Sequence, residues 1–346
     1  MANHFTIEND GKLIQEMLFK LFQSTRLNFI VGSGASMPAI SIAGDLEFEV
    51  QDDYDDGNEE EATLKLYNFL EQVNTSTNQL VNKVSDVNKE VVQSGYNSLV
   101  KNIEKILNER RTNLLPKQVN IFTTNYDLFV EDSLDGFDSI SLNDGFNRIP
   151  SLSGEFKFST NTFFNSTFNN GNLYSYKVEL PTINLFKMHG SMSWEFKDKE
   201  IIFSIPNRAP LTPGADSAAM DSYNRSHALI LPRKHKFEET VLQHVYYDLL
   251  RLYANELDKE NTTLLAFGFS FADEHISEIT QRALKNPTLK IVIFAFDDAA
   301  KDGFVTLFDA FHNVDVISTG NAKFLNFEKL NEIIRGVLPE EEDDAA

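Results

Sequence analysis

Six short apolar runs punctuate the chain, at residues 27–31, 119–123, 184–188, 264–267, 290–296 and 314–318, and each predicts a strand buried on both faces. Stretches with a helical repeat separate several of them. Residues 12–23 place Leu13, Met17, Leu18 and Leu21 at helical spacing. In residues 237–257 an apolar side chain recurs every four positions, at Phe237, Val241, Val245, Leu249, Tyr253 and Leu257. Residues 63–108 contain a single glycine and no proline, and carry the apolar series Leu80, Val84, Val87 and Val91, then Leu99, Ile103 and Ile106. They predict a helical lobe inserted after the first strand. Residues 156–172, rich in Phe, Thr and Asn, predict a hairpin excursion, and residues 206–224 a Pro/Gly/Ala/Ser loop. Strands alternating with helices, without internal repeats, predict an α/β fold with a Rossmann-like, doubly wound parallel sheet. On this reading residues 1–338 form one domain, with an acidic loop at 45–61 and a helical insertion at about 62–113. An acidic disordered tail follows at 339–346.

Composition narrows the chemistry. The 346 residues are enough to bury a full core, and 42% hydrophobic with 24% charged residues is an ordinary globular balance. With no cysteine, a thiol nucleophile, a disulfide scaffold and a cysteine-built zinc site are all excluded. The net charge of -21 is concentrated: ten acids and no base fall in residues 45–61, and five more acids in 340–344. Such a chain argues against a broad phosphate-binding face, so no direct nucleic-acid binding is expected. A local basic patch, Arg233-Lys234-His235-Lys236, reads either as a helix start or as an anion contact. The first eleven residues lack a secretory pattern, and the uncharged stretch 27–44 is broken by Gly32, Gly34 and Pro38, which makes it a poor membrane span. A soluble, cytoplasmic protein is the expectation.

In a doubly wound sheet, ligands bind beyond the carboxyl ends of the strands, so the residues delivered there are the candidates. The first strand delivers Gly32-Ser33-Gly34-Ala35-Ser36, either a tight strand-to-helix connection or a turn whose backbone N–H groups hold a pyrophosphate. Thr123-Thr124-Asn125-Tyr126-Asp127 follows the second. Burying an amide beside a carboxylate is costly unless both are hydrogen-bonded, so these residues cap a helix or face a polar ligand. The third strand delivers His189-Gly190-Ser191. The fourth delivers Gly268-Phe269-Ser270, with Ser270 or Asp273 available as a helix cap, and the fifth ends at Asp297-Asp298, a turn or a ribose partner.

Taken in order, Gly-Ser-Gly-Ala-Ser, Thr-Thr-Asn-Tyr-Asp, Lys187-Met188-His189-Gly190-Ser191 with Trp194, and Phe267-Gly268-Phe269-Ser270-Phe271 with Asp273, His275 and Ile276 resemble the sirtuin family. The likeness is to the sirtuin-like domains of prokaryotic antiphage defence proteins, and covers roughly residues 12–330. The resemblance implies an NAD-binding catalytic domain. In it, the turn of Gly32, Ser33, Gly34 and Ser36 would hold the NAD pyrophosphate and Thr124 would also contact NAD. Asn125 and Asp127, facing the nicotinamide ribose, would be catalytic together with His189, the catalytic histidine. Gly268 and Ser270 would meet phosphate or ribose, and Asp297 the adenosine end. The chain departs from sirtuin deacylases in lacking the four-cysteine zinc module and in having Gly-Phe-Ser where those enzymes have Gly-Thr-Ser. The expectation is therefore an NAD hydrolase that needs no metal and depletes NAD in defence. A protein deacylase and a non-enzymatic nucleotide sensor are the alternatives. The resemblance further implies a homo-oligomer that works with a partner such as a HerA-like ATPase.

Overall fold

A computed structural model describes residues 2–41, 46–110, 114–149, 152, 154–170, 177–198, 200–205, 209–230, 240–321 and 323–339. The chain begins with strand β1 (Asn3–Thr6), helix α1 (Ile7–Ser24) and β2 (Arg26–Val31), then α2 (Leu46–Asp55), α3 (Glu59–Val81) and α4 (Val87–Asn108). Next come β3 (Gln118–Thr123), α5 (Phe129–Leu134), β4 (Ser141–Asn143), β5 (Phe168–Asn170), β6 (Lys177–Glu179) and β7 (Thr182–Lys187). The pair β8 (Trp194–Lys197) and β9 (Glu200–Phe203) leads to α6 (Ser217–Arg225) and α7 (Thr240–Asp258). Last are β10 (Thr262–Phe267), α8 (Glu274–Ala283), β11 (Leu289–Phe294), α9 (Asp298–Leu307), β12 (Val314–Ser318) and α10 (Phe327–Arg335).

Eight strands make one sheet in the order β1-β12-β11-β10-β2-β3-β7-β4, parallel throughout. This is the doubly wound α/β fold that the apolar runs predict, and all six runs are strands in it. The two edge strands are the additions. Both are short and none of their residues is fully buried, so they leave no apolar run to read. Side chains alternate between two cores: Phe29 and Val31 of β2 face α1, α4 and α10, while Ile30 faces α7 and α8. Among the described residues no helix is long and apolar enough to cross a membrane.

Four helical expectations change. In α1 the buried series is Ile14, Leu18 and Phe22, spaced by four, and Leu13 is exposed. The series Leu80, Val84, Val87, Val91 straddles a break: Asp86 accepts a hydrogen bond from the Lys89 N–H and starts α4 anew, so only Leu80 is buried and the three valines stand in solvent. Residues 46–55 are helical rather than loop, and Glu59, Glu60 and Glu61 fill the first turn of α3, where the helix dipole favours carboxylates. Asp216 caps a helix, α6, inside the expected loop at 206–224. In place of a simple hairpin over 156–172, β5 pairs antiparallel with β6 beyond it. The patch at 233–236, Phe237 and the acids at 340–344 lie outside the described residues.

Polar side chains also cross the sheet. Asn28, Asn120, Asn184 and Asn143 sit in register on four adjacent strands, and each of the last three donates to the side-chain carbonyl of the one before it: Asn120 to Asn28 at 2.8 Å, Asn184 to Asn120 at 2.9 Å and Asn143 to Asn184 at 2.9 Å. Asn28 and Asn184 are buried, and their amides are tolerated there because each finds a partner.

Candidate functional site

After β2 the chain fills the sheet outward on one side through β3 and β7, and later on the other through β10, β11 and β12. The carboxyl ends of β2, β3 and β10 therefore flank the point where the winding reverses, which is where such folds leave a crevice. A cavity of about 570 Å³ opens there. Its wall includes Ser33, Gly34, Ser36, Thr124, Asn125, Asp127, His189, Gly268 and Ser270, so four strand ends converge as the motifs require.

Gly32 and Asp297 are not in the wall. The glycine turn after β2 is pressed against the turn after β10: the Gly34 N–H donates to the Gly268 carbonyl at 3.0 Å, and the Gly32 N–H to the Phe267 carbonyl at 3.1 Å. Ala35 donates to Gly32. Three of the N–H groups expected to face a pyrophosphate are thus taken within the protein. A side chain on Gly32 would overlap the Gly268 carbonyl and the Phe269 backbone, so these glycines answer first to backbone packing. Asp297 accepts the Ala300 N–H at 2.8 Å and caps α9, the turn-type role left open for it. The cavity wall on that side is aromatic, with Phe267, Phe294, Phe296, Phe304 and Phe327.

The polar end is a connected network. The Asn125 amide donates to the Gly32 carbonyl at 2.9 Å and to Ser36 Oγ at 3.0 Å, and Ser36 Oγ donates in turn to Asp127 at 2.6 Å. The other Asp127 oxygen accepts the Phe129 N–H at 3.3 Å, a local turn just before α5, whose own N-cap position, Leu128, makes no side-chain cap; Asp127 therefore lines the cavity without capping the helix. Lys187, buried at the end of β7, donates to the main-chain carbonyls of Asn125 and Asp127 and pairs with Glu131 at 3.4 Å. Tyr96, from α4, is the residue that the sequence motifs do not reveal. Its ring stacks on Phe129 at 5.8 Å, and its phenol is electrostatically coupled to Asp127, Ser36 and Asn125. Burial above all, and then the Asp127 charge, hold the phenol well above its usual range.

Burial pushes the Glu131 carboxyl up to about 7, with Lys187 only partly offsetting it. The unfolded chain ionises this group at about 4.3, so between that value and about 7 the folded state binds the extra proton. Stability is therefore expected to fall as pH rises through this window. Urea unfolding at pH 5 and pH 8 should show the wild type losing on the order of 1–3 kcal/mol relative to Glu131→Gln, with the substitution flattening the slope.

His189 is fixed through its backbone: its carbonyl accepts the Ile230 N–H at 2.9 Å, and Gly190 turns the chain at φ +91°. Asp273, which lines the same cavity, caps α8 and lies 3.2 Å from the His189 ring. Ser270 is an exposed part of the wall and accepts the Ala272 N–H.

The model of the SIR2-like domain family matches residues 119–317, more than half of the chain. Among solved structures the chain is similar to a Sir2 mutant with p53 peptide and NAD, at 15% identity over 94% of this chain and 96% of that one, with a TM-score of 0.41. A likeness that distant adds nothing to what the topology establishes. No curated protein matches the chain.

Proposed function

The chain belongs to the SIR2-like domain family, and we propose that it is an NAD hydrolase that cleaves the bond between nicotinamide and ribose. The observation that carries this reading is the single cavity wall that joins the Asn125–Ser36–Asp127 network to His189 at the sheet's reversal point. Its volume is within the range of small-molecule sites, about 300–1,000 Å³. An aromatic end suits a flat base, and a polar end suits a ribose and its leaving group.

In this reading the C1′–N bond breaks first in character, nicotinamide leaves with the bonding pair, and positive charge develops at the ribosyl centre. A water oxygen then bonds to C1′ and its proton passes to His189 or to solvent. Asn125, with both amide hydrogens committed to Gly32 and Ser36, offers its carbonyl oxygen to orient the water or a ribose hydroxyl. The Asp127 carboxylate supports the developing cation. Ser33 and Ser270 are left to meet the phosphates.

Depletion of NAD in antiphage defence, a homo-oligomeric state and a HerA-like partner belong to the same reading. The exposed Val84, Val87 and Val91 on the helical lobe support a contact surface there. Purified protein incubated with NAD alone is expected to release nicotinamide and ADP-ribose in equal amounts. Release only with an acylated peptide, accompanied by acyl-ADP-ribose, would replace hydrolysis by deacylation.

A further inference from the structure

We propose that Asp273 is the positioning residue of His189, holding the imidazole so that Nδ1 rather than Nε2 meets the cavity. The Nε2 atom is buried and lies 3.2 Å from Asp273 Oδ2. The pair is within ion-pair range but off the hydrogen-bond axis, as catalytic pairs commonly are before substrate closes a site. Since His189 lines the cavity while Nε2 is turned away from it, Nδ1 is the nitrogen left to face a ligand. A carboxylate beside Nε2 selects the tautomer with the proton on that atom, and this keeps Nδ1 unprotonated and able to accept a proton.

The surroundings of Asp273 hold its carboxylate in place for this task. Oδ1 accepts the Ile276 N–H at 3.0 Å as the cap of α8, and Oδ2 lies beside the ring. A cap alone would need only one oxygen, and Ser or Asn would serve. The loop before it is held in a costly conformation: Phe271 has φ +59°, rare for an aromatic residue, and its ring is anchored against Phe269 at 4.9 Å and Phe308 at 5.2 Å. The histidine is also held by the Gly190 turn that follows it, and the Tyr246 ring lies 5.7 Å from its own. Two rigid strand ends, β7 and β10, thus deliver the two halves of one pair.

The inference rests on the proposed hydrolysis for its kinetic test only. Asp273→Asn keeps the cap oxygen and replaces Oδ2 with an amide that cannot accept the Nε2 proton. It is expected to lower kcat for NAD about 10- to 100-fold, with KM within about twofold and the melting temperature within about 2 °C. In a His189→Gln background the same change should alter kcat less than about threefold, because its effect is exerted through the ring. Nitrogen-15 NMR of histidine-labelled protein, with His189→Gln to assign the signal, should show the Nε2–H form in the wild type and a shift toward Nδ1–H in Asp273→Asn. An unchanged His189 signal, or an equal kcat loss in the two backgrounds, would overturn the proposal. The NMR result decides it even if the wild type proves not to hydrolyse NAD. Asp273→Ser, which also keeps a cap oxygen, provides the same readouts should the asparagine variant fold poorly.

Discussion

Asn125→Ala is expected to lower NAD turnover by about two to three orders of magnitude, the size of effect that follows loss of one preorganised polar group from a reaction centre. Sequence motifs alone suggest that such a change would leave the fold intact, because the residue sits at a strand end. Its two amide hydrogen bonds alter that expectation: they bind the turn after β3 to the turn after β2 through Gly32 and Ser36. Alanine leaves the Gly32 carbonyl and Ser36 short of a buried donor, at a cost of about 1–3 kcal/mol. Activity and melting temperature should therefore fall together. Asn125→Asp separates the two roles, since it keeps the shape but sets a carboxylate against the Gly32 carbonyl and close to Asp127. It should be at least as destabilising as alanine. An Asn125→Ala protein with near wild-type turnover would remove this residue from the reaction, whatever its melting temperature.

The second large effect is on folding. Gly268→Ala should destabilise by about 3 kcal/mol or more, because the new methyl would lie 2.5 Å from the Ala35 nitrogen and φ is +61°. Gly32→Ala fails against the same interlock from the opposite side, meeting the Gly268 carbonyl, although its own backbone is extended. Gly303→Ala is the control. Its site in α9 is open, so alanine there should be neutral or should stabilise by about 0.5–1 kcal/mol. Thermal melts of the three proteins test the interlock directly, and a Gly268→Ala melt equal to wild type would refute it.

The six central strands were legible because a strand buried on both faces has no polar face to confuse its pattern, and β2 and β10 are examples. Edge strands carry no such mark, which is why β1 and β4 were invisible. Leu80 with Val84, Val87 and Val91 misled for a related reason: spacing records the sequence, but the cap at Asp86 decides where one helix ends and the next begins. Within the site, Asn125, Asp127 and His189 could be read because each follows an apolar run at once. Tyr96 could not, since it lies mid-helix in the lobe and reaches the network only through tertiary packing, aided by Gly95, where a side chain would collide with the Phe327 ring. Asp297 illustrates the limit of position alone, for a carboxylate at a strand tip serves a helix cap as readily as a ribose.

The asparagine row has a consequence for alignment. Parallel strands that are apolar on both faces can slide by two residues and still bury the same kinds of side chain, so hydrophobicity fixes their stagger only weakly. A slide in any of β2, β3 or β7 would strand buried amides, at about 1–3 kcal/mol for each unpaired group. Asn28, Asn120 and Asn184 each stand four residues before Gly32, Thr124 and Met188, so locking the row also levels the points at which the three chains leave the sheet. The asparagines act as a gauge block, setting the common height at which a distant set of side chains can meet.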